Sequence, residues 1–331
     1  MSSGSTRDLA DLILAALGRR GMRVDGLLEM RRLTGGAMQE TWLLHTSAPA
    51  PLDRIVLRRA PQRQAPRLGT ISLSLQARLT ALAEKVGVPG PAVLAVFDDT
   101  DGLGEGFIMG FVAGETVPQR ILRQPQLEFA RNRLTDQCAD VLARLHAIPT
   151  EALPPLPQLS PADRLEALHE QYRQLARPRP VFELAFAWLQ RRLPPPTPRP
   201  GLVHGDFRNG NLMVDETGLA AVLDWERAFV GDPMFDIGWL CVGSWRFGLI
   251  DNPIGGFGDL ESFAAAYRAH GGEFEIDRVR FWEAFGSLDW GVTTVELARE
   301  AEETGALETA AIGRRTSETE IDLLRLMTPH D

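Results

Sequence analysis

The chain has almost no lysine. Lys85 is the single lysine among 35 basic residues, so a mechanism that needs a lysine anywhere else is excluded. Cysteine is nearly absent too. Cys138 and Cys241 stand far apart and match no metal spacing, which argues against a disulfide framework or a thiolate metal site. So few cysteines suit a reducing cytoplasm. No 18-residue apolar run occurs, so nothing is expected to span a membrane. The opening Met1–Asp8 lacks the basic region and long apolar core of a secretory leader. A basic excess is also missing: 35 Lys plus Arg face 44 Asp plus Glu, for a net charge of −9. A generally basic nucleic-acid binder is therefore disfavoured. The expectation is a cytoplasmic protein with neither nucleic acid nor membrane as partner.

What remains is ordinary globular composition, 44% apolar and 24% charged over 331 residues. That length suits one large domain or two smaller ones. No internal repeat is visible. Leu9, Leu12, Ile13 and Leu17 share a helical face in a first helix over about Thr6–Arg20. Strand-like pieces follow at Leu27–Leu33, Gln39–Thr46 and Arg54–Arg59, then a helix over Ser72–Val86. Two more strands, Ala92–Phe97 and Gly106–Val112, flank a turn at Asp98–Gly104. The order βββαββ predicts a small antiparallel sheet with one helix.

Beyond Gly114 the pattern turns helical. One long helix is expected over Leu127–His146. Ser160 caps another, with Pro161 at its first position, and a further helix covers Val181–Leu193. Residues 201–224 read as short strands and a loop, and the chain is mostly helical from Phe263 onward. The prediction is an α+β fold in two lobes. A nucleotide-binding N-terminal lobe covers 1–112. A helical C-terminal lobe with the catalytic loop and acceptor site covers 113–331.

The chemistry concentrates in Leu202-Val203-His204-Gly205-Asp206-Phe207-Arg208-Asn209-Gly210-Asn211-Leu212-Met213-Val214, followed by Val222-Leu223-Asp224-Trp225-Glu226. Two apolar runs bracket a polar loop, and a carboxylate ends the second run. This suits phosphoryl transfer, where the protein positions an acceptor and neutralises phosphate charge. Asp206 can accept a hydroxyl proton. Asn211 and Asp224 offer the hard oxygens that Mg²⁺ prefers. His204 is expected to orient the loop rather than to shuttle protons.

The pattern His204-Gly205-Asp206, four residues, Asn211, then Asp224-Trp225-Glu226 resembles the aminoglycoside phosphotransferase/choline kinase family, whose fold is protein-kinase-like. The resemblance runs from about Leu27 to the helical C-terminus. It implies a kinase that moves the γ-phosphate of ATP or GTP to a hydroxyl of a small molecule. Asp206 is then the catalytic base, and Asn211 and Asp224 hold Mg²⁺. Gly231–Gly238 also looks like the family, with Asp236 capping its helix and bracing the catalytic loop. Glu226 faces either the metal or the acceptor, or else supports a neighbouring group. Gly35 and Gly36 sit where a phosphate loop belongs. Ile108–Gly114 resembles the adenine-binding hinge, with Met109 behind the base and Gly110 and Val112 supplying a carbonyl and an N–H.

Two positions depart from the family. Its strand lysine is replaced by Arg58, which keeps the charge as a bulkier planar fork. In this respect the chain is similar to an acyl-CoA-dehydrogenase-associated subgroup. The usual glutamate on the next helix is also missing, since no acid occurs between Asp53 and Glu84. Gln76 is the best-placed substitute and Glu84 a distant second. These departures leave an alternative open, a weakly active or inactive nucleotide-binding module acting through partners.

The acceptor is harder to name. Residues 283–322 carry ten acids against three arginines, a field that suits a polycationic aminoglycoside or only a solvated helix face. The Arg58 subgroup points instead to hydroxylated acyl chains. Trp239, Trp245, Phe247, Trp282, Phe285 and Trp290 then line a pocket or simply fill the core.

Overall fold

The computed structural model describes residues 3–35, 39–60 and 69–328. They divide into two compact units, Met1–Gly114 with Ala220–Arg227, and Glu115–Leu219 with Ala228–Asp331.

In the first unit, helix α1 (Ser3–Arg19) precedes strands β1 (Leu27–Gly35), β2 (Glu40–Thr46) and β3 (Arg54–Ala60). Helix α2 (Leu73–Lys85) and strands β4 (Val93–Val96) and β5 (Glu105–Gly110) follow. The sheet order is β1-β2-β3-β5-β4, and every pairing is antiparallel. This is the predicted βββαββ arrangement. The apolar stripe of α1 buries Leu9, Ile13 and Leu17 against Trp42, Leu44, Ile55 and Leu57. Arg19 and Arg20 at the end of α1 grip the buried Asp101, whose carboxyl the Arg20 hydrogen bond holds far below the usual range. Ser72, where the helix was expected to begin, caps α2 by accepting the Leu75 N–H.

The second unit holds α3 (Pro118–Arg123), α4 (Glu128–Arg131), α5 (Leu134–His146), α6 (Pro161–Leu175) and α7 (Pro180–Arg191). Then come β6 (Gly201–Val203), β7 (Leu212–Asp215), β8 (Gly218–Val222), which runs on into the first unit, and β9 (Phe229–Gly231). Helices α8 (Met234–Cys241), α9 (Leu260–Ala269), α10 (Ile276–Thr304), α11 (Leu307–Gly313) and α12 (Thr316–Met327) complete it. Strand β6 pairs with β9, and β7 with β8. The expected single helix over 127–146 is broken: a turn at Asn132–Arg133 separates α4 from α5. The Asn132 N–H closes the last turn of α4 on the Glu128 carbonyl, and Arg133 opens the next helix without a side-chain cap. Ser160 does cap α6, in a capping box with Asp163.

Both cysteines are buried, and burial pushes their thiols up, away from nucleophilic use. Among the described residues no helix is long and apolar enough to cross a membrane.

Glu283 of α10 is buried, and burial pushes its carboxyl up to about 7 although Arg246 bonds it at 2.5 Å. The folded protein therefore holds this proton more tightly than the unfolded chain. Its contribution to stability is full below about 4.5, the ordinary value, and is lost as the pH rises through about 7. Melting temperatures of the protein and of Glu283→Gln, measured from acid to neutral pH, are expected to diverge in the variant's favour across that window. A constant difference would contradict the linkage.

Candidate active site

Asp206 lies in the loop between β6 and β7, and its carboxylate is held by three donors. The Trp239 indole N–H donates to Oδ1 at 2.8 Å and Arg208 Nε donates to the same oxygen at 3.0 Å. Asn211 Nδ2 donates to Oδ2 at 2.5 Å and also to the Asp206 carbonyl at 3.0 Å. The structure thus brings Asp206 and Asn211 together. Because the Asn211 amide nitrogen is spent on Asp206, its oxygen is the atom left for another ligand.

The loop hangs on Asp236, a fully buried residue of α8. Its Oδ2 accepts the His204 N–H at 2.8 Å and its Oδ1 the Gly205 N–H at 2.9 Å. His146 Nε2 lies 3.2 Å from the same carboxylate, and His146 Nδ1 lies 2.7 Å from the Tyr267 hydroxyl. The tautomer that satisfies both has Nε2–H donating to Asp236 and the Tyr267 O–H donating to Nδ1. Burial and the adjacent Asp236 charge push the Tyr267 phenol up, so it keeps its proton. The expected bracing by Asp236 is present. The expected capping is not: Asp236 is the third residue of α8, Pro233 stands at the cap, and no side chain bonds there. His204 is buried, and its Nδ1 accepts the Asp206 N–H at 3.2 Å, a loop-orienting contact. Gly205 and Gly210 have φ of 81° and 120°, which side-chain-bearing residues adopt only with strain.

The first unit carries the other sequence candidates. In β3, Arg58 pairs with Thr41 of β2 and Phe107 of β5, so its side chain shares their face. Phe107 packs on Leu73 and Ala77, which places this face beneath α2. Arg58 Nη2 donates to Asp224 Oδ1 at 3.2 Å and approaches Gln39 Oε1 at 3.5 Å. Its neighbour Arg59 is committed elsewhere, donating to Glu40 at 2.8 Å. Burial alone would raise the Glu40 carboxyl, but Arg59 and the Trp42 indole outweigh it and hold it below its ordinary value.

Gln76 is not the partner of Arg58. It is buried, its Nε2 donates to the Ile71 carbonyl, and its Oε1 has no partner among the described residues. Asp224 takes that place. It is a non-glycine residue at φ 67°, the kind of backbone strain that a structure keeps where a side chain must be aimed. The Glu226 carbonyl accepts the Ile71 N–H at 2.8 Å.

Gly35 ends β1, opposite Glu40, while Gly36 lies outside the described residues. In the hinge segment, β5 stops at Gly110 rather than Val112. Met109 is half-buried and packs against the Leu73–Ala77–Phe107 cluster. The Gly110 N–H donates to Ala92, the Phe111 N–H to Arg54, and nothing among the described residues accepts the Val112 N–H. The strand ends here because Val112 lies past the last residue that β3 pairs with.

Sequence reasoning missed the grip of Trp239 and Arg208 on Asp206, and the His146–Tyr267 support of Asp236. The only signal for Trp239 was its position three residues after Asp236 in the apolar α8. Nothing local marked His146 or Tyr267, which lie far from the loop in sequence.

The chain is 28% identical over 242 residues to acyl-CoA dehydrogenase family member 10 of Mus musculus, covering 68% of this chain and 21% of the relative. It is 29% identical over 165 residues to acyl-CoA dehydrogenase family member 11 of Homo sapiens, covering 46% of this chain and 20% of the relative. The chain thus spans about a fifth of the length of these curated relatives. Its fold matches a Ralstonia eutropha protein assigned as an aminoglycoside phosphotransferase, with TM-score 0.73, 21% identity and 96% and 97% of the two chains covered. It also matches aminoglycoside phosphotransferase APH(4)-Ia in complex with AMP-PNP and hygromycin B, with TM-score 0.63, 14% identity and 96% and 98% coverage. These likenesses show the predicted kinase-like α+β fold. The model of the phosphotransferase enzyme family matches residues 29–282, and the chain belongs to that family.

Proposed function

We propose that the protein is an ATP- or GTP-dependent kinase of a small-molecule hydroxyl, with Asp206 as the base. The observation that carries this reading is the Asp206 carboxylate itself: buried, oriented by Trp239, Arg208 and Asn211, and mounted on a loop pinned to Asp236. A base fixed in this way takes a proton from an acceptor hydroxyl as phosphate is transferred. The family and the AMP-PNP bound to APH(4)-Ia support nucleotide as donor.

The chemistry of each residue suits Mg²⁺: the Asn211 amide nitrogen is taken up by Asp206, which leaves its oxygen, and Asp224 is a carboxylate. Asn211 and Asp224 are the residues that would hold the ion, which when bound neutralises phosphate charge. Arg58 contacts the nucleotide phosphates, with Asp224 orienting its fork. Gly35 and Gly36 approach the phosphates through their backbone. Met109 stands behind the base, while Gly110 and Val112 meet its edge through a carbonyl and an N–H. The Val112 N–H, which has no acceptor among the described residues, supports that assignment.

The test is phosphate transfer from labelled ATP and GTP, with Mg²⁺, to hydroxylated acceptors. Transfer to one acceptor class is the expected result. Nucleotide binding without transfer to any class would instead favour the inactive binding module. Arg58→Met is expected to raise the KM for nucleotide by ~10- to 100-fold, the worth of a charged hydrogen bond, with a smaller change in kcat. An unchanged KM would remove Arg58 from the phosphate site.

A further inference from the structure

Four buried polar atoms close to the Asp206 loop have no hydrogen-bond partner among the described residues. They are Ser244 Oγ, Trp245 Nε1, Ser287 Oγ and Trp290 Nε1. Trp245, Ser287 and Trp290 are neighbours, and Ser244 precedes Trp245 in the chain. Ser244 and Trp245 share the 3₁₀ turn Gly243–Arg246, and Ser287 and Trp290 are three residues apart on α10, hence neighbours on one face. The Trp245 and Trp290 ring centroids are 4.9 Å apart. Trp245 lies 5.7 Å from Trp239 and has the Arg208 guanidinium 4.6 Å over its ring. Trp239 and Arg208 are the two residues that bond Asp206 Oδ1. Buried polar groups are normally satisfied, so the open indole N–H groups of Trp245 and Trp290, reached by ring contacts from the residues that bond Asp206, are the observation that points to a ligand.

The chemistry of these atoms selects the ligand. An indole N–H and a guanidinium only donate, and a hydroxyl donates or accepts. A molecule that satisfies them must present oxygen acceptors. An ammonium group has only hydrogens to offer the two indole donors. Several members of the acid-rich stretch are paired with arginines and so offer less counter-charge to a cation. Glu283 bonds Arg246, Asp289 lies 3.7 Å from Arg164, Glu302 bonds Arg177 and Glu320 bonds Arg179.

We propose that Ser244, Trp245, Ser287 and Trp290, with Arg208, form the acceptor subsite. Its acceptor is an oxygen-rich neutral or anionic hydroxyl compound, not a polyammonium one. This rests on the phosphotransfer reading and narrows its substrate class.

Tryptophan fluorescence of the whole protein, titrated with gluconate, 3-hydroxyoctanoate and kanamycin, tests it. Saturable quenching by at least one of the two anions is expected, with kanamycin weaker than that anion. Trp245→Phe and Trp290→Phe keep a ring but lose the N–H, and each is expected to bind the anion ~10-fold more weakly. Unchanged far-UV circular dichroism shows that the variants keep the fold. Tighter binding of kanamycin, silence from both anions at millimolar concentration, or unchanged affinity in both variants overturns the proposal. The two readings fail separately. An anion that binds through these residues but is never phosphorylated counts against the kinase and leaves the subsite standing. Phosphorylation of kanamycin alone counts against the subsite and leaves the kinase standing.

Discussion

Asp206→Asn is expected to lower kcat for phosphate transfer by ~100- to 10,000-fold, the range a positioned general base supplies. Nucleotide affinity should change little, because the proposed role places Asp206 on the acceptor side of the reaction. The substitution removes the basic oxygen and keeps the shape. An asparagine oxygen can still accept from Trp239 and Arg208, which share Oδ1 in the parent. The other oxygen is less forgiving. Oδ2 accepts from Asn211 Nδ2 at 2.5 Å, so a new amide nitrogen there would set two donors face to face. One amide must flip. If Asn211 flips, the oxygen assigned to Mg²⁺ turns inward, and the Mg²⁺ concentration for half-maximal activity should rise as well. Steady-state kinetics at several Mg²⁺ concentrations separate the two losses. Retention of kcat within tenfold of the parent would remove Asp206 from the role of base.

Asp236→Ala should cost both stability and activity. The carboxylate serves the His204 and Gly205 N–H groups and the His146 ring at once. Deleting it strands two backbone donors in a fully buried place and unseats the histidine. Breaking a buried charged network typically costs ~3–5 kcal/mol. For a unit of this size that corresponds to a fall of roughly 10 °C in melting temperature. The loop it releases carries Asp206 two residues on, so kcat should also fall by at least ~10-fold in the protein that remains folded. Asp236→Asn accepts one of the two N–H groups and should sit between parent and alanine variant in both measurements. A melting temperature unchanged in the alanine variant would mean that the loop is held by other contacts.

These two variants also separate reading the chemistry from reading its support. The candidates Asp206, Asn211 and Asp224 come from the sequence because reactive groups are confined to few residue types at fixed spacings on one loop and one strand end. The strands and helices are legible because their apolar periods of two and about 3.6 residues are local properties. So is the Ser160 cap, which needs only its own next turn. The break between α4 and α5 was missed because both sides continue the same apolar period, and periodicity does not register a single turn between them.

The sequence by itself determined the family and the α+β architecture, argued against disulfide and thiolate metal chemistry, and named the candidate reactive side chains. Tertiary structure alone decided who holds them. Arg58 is paired with Asp224, 166 positions away, and not with Gln76 on the next helix. Asp206 is oriented by Trp239, and Asp236 by His146 and Tyr267. Part of the acid-rich stretch is paired with arginines distant in sequence, Arg177 and Arg179 among them. The physical reason is the same in each case. Hydrogen bonds and ion pairs act over about 3 Å in space, and separation along the chain says nothing of that distance until the elements have packed.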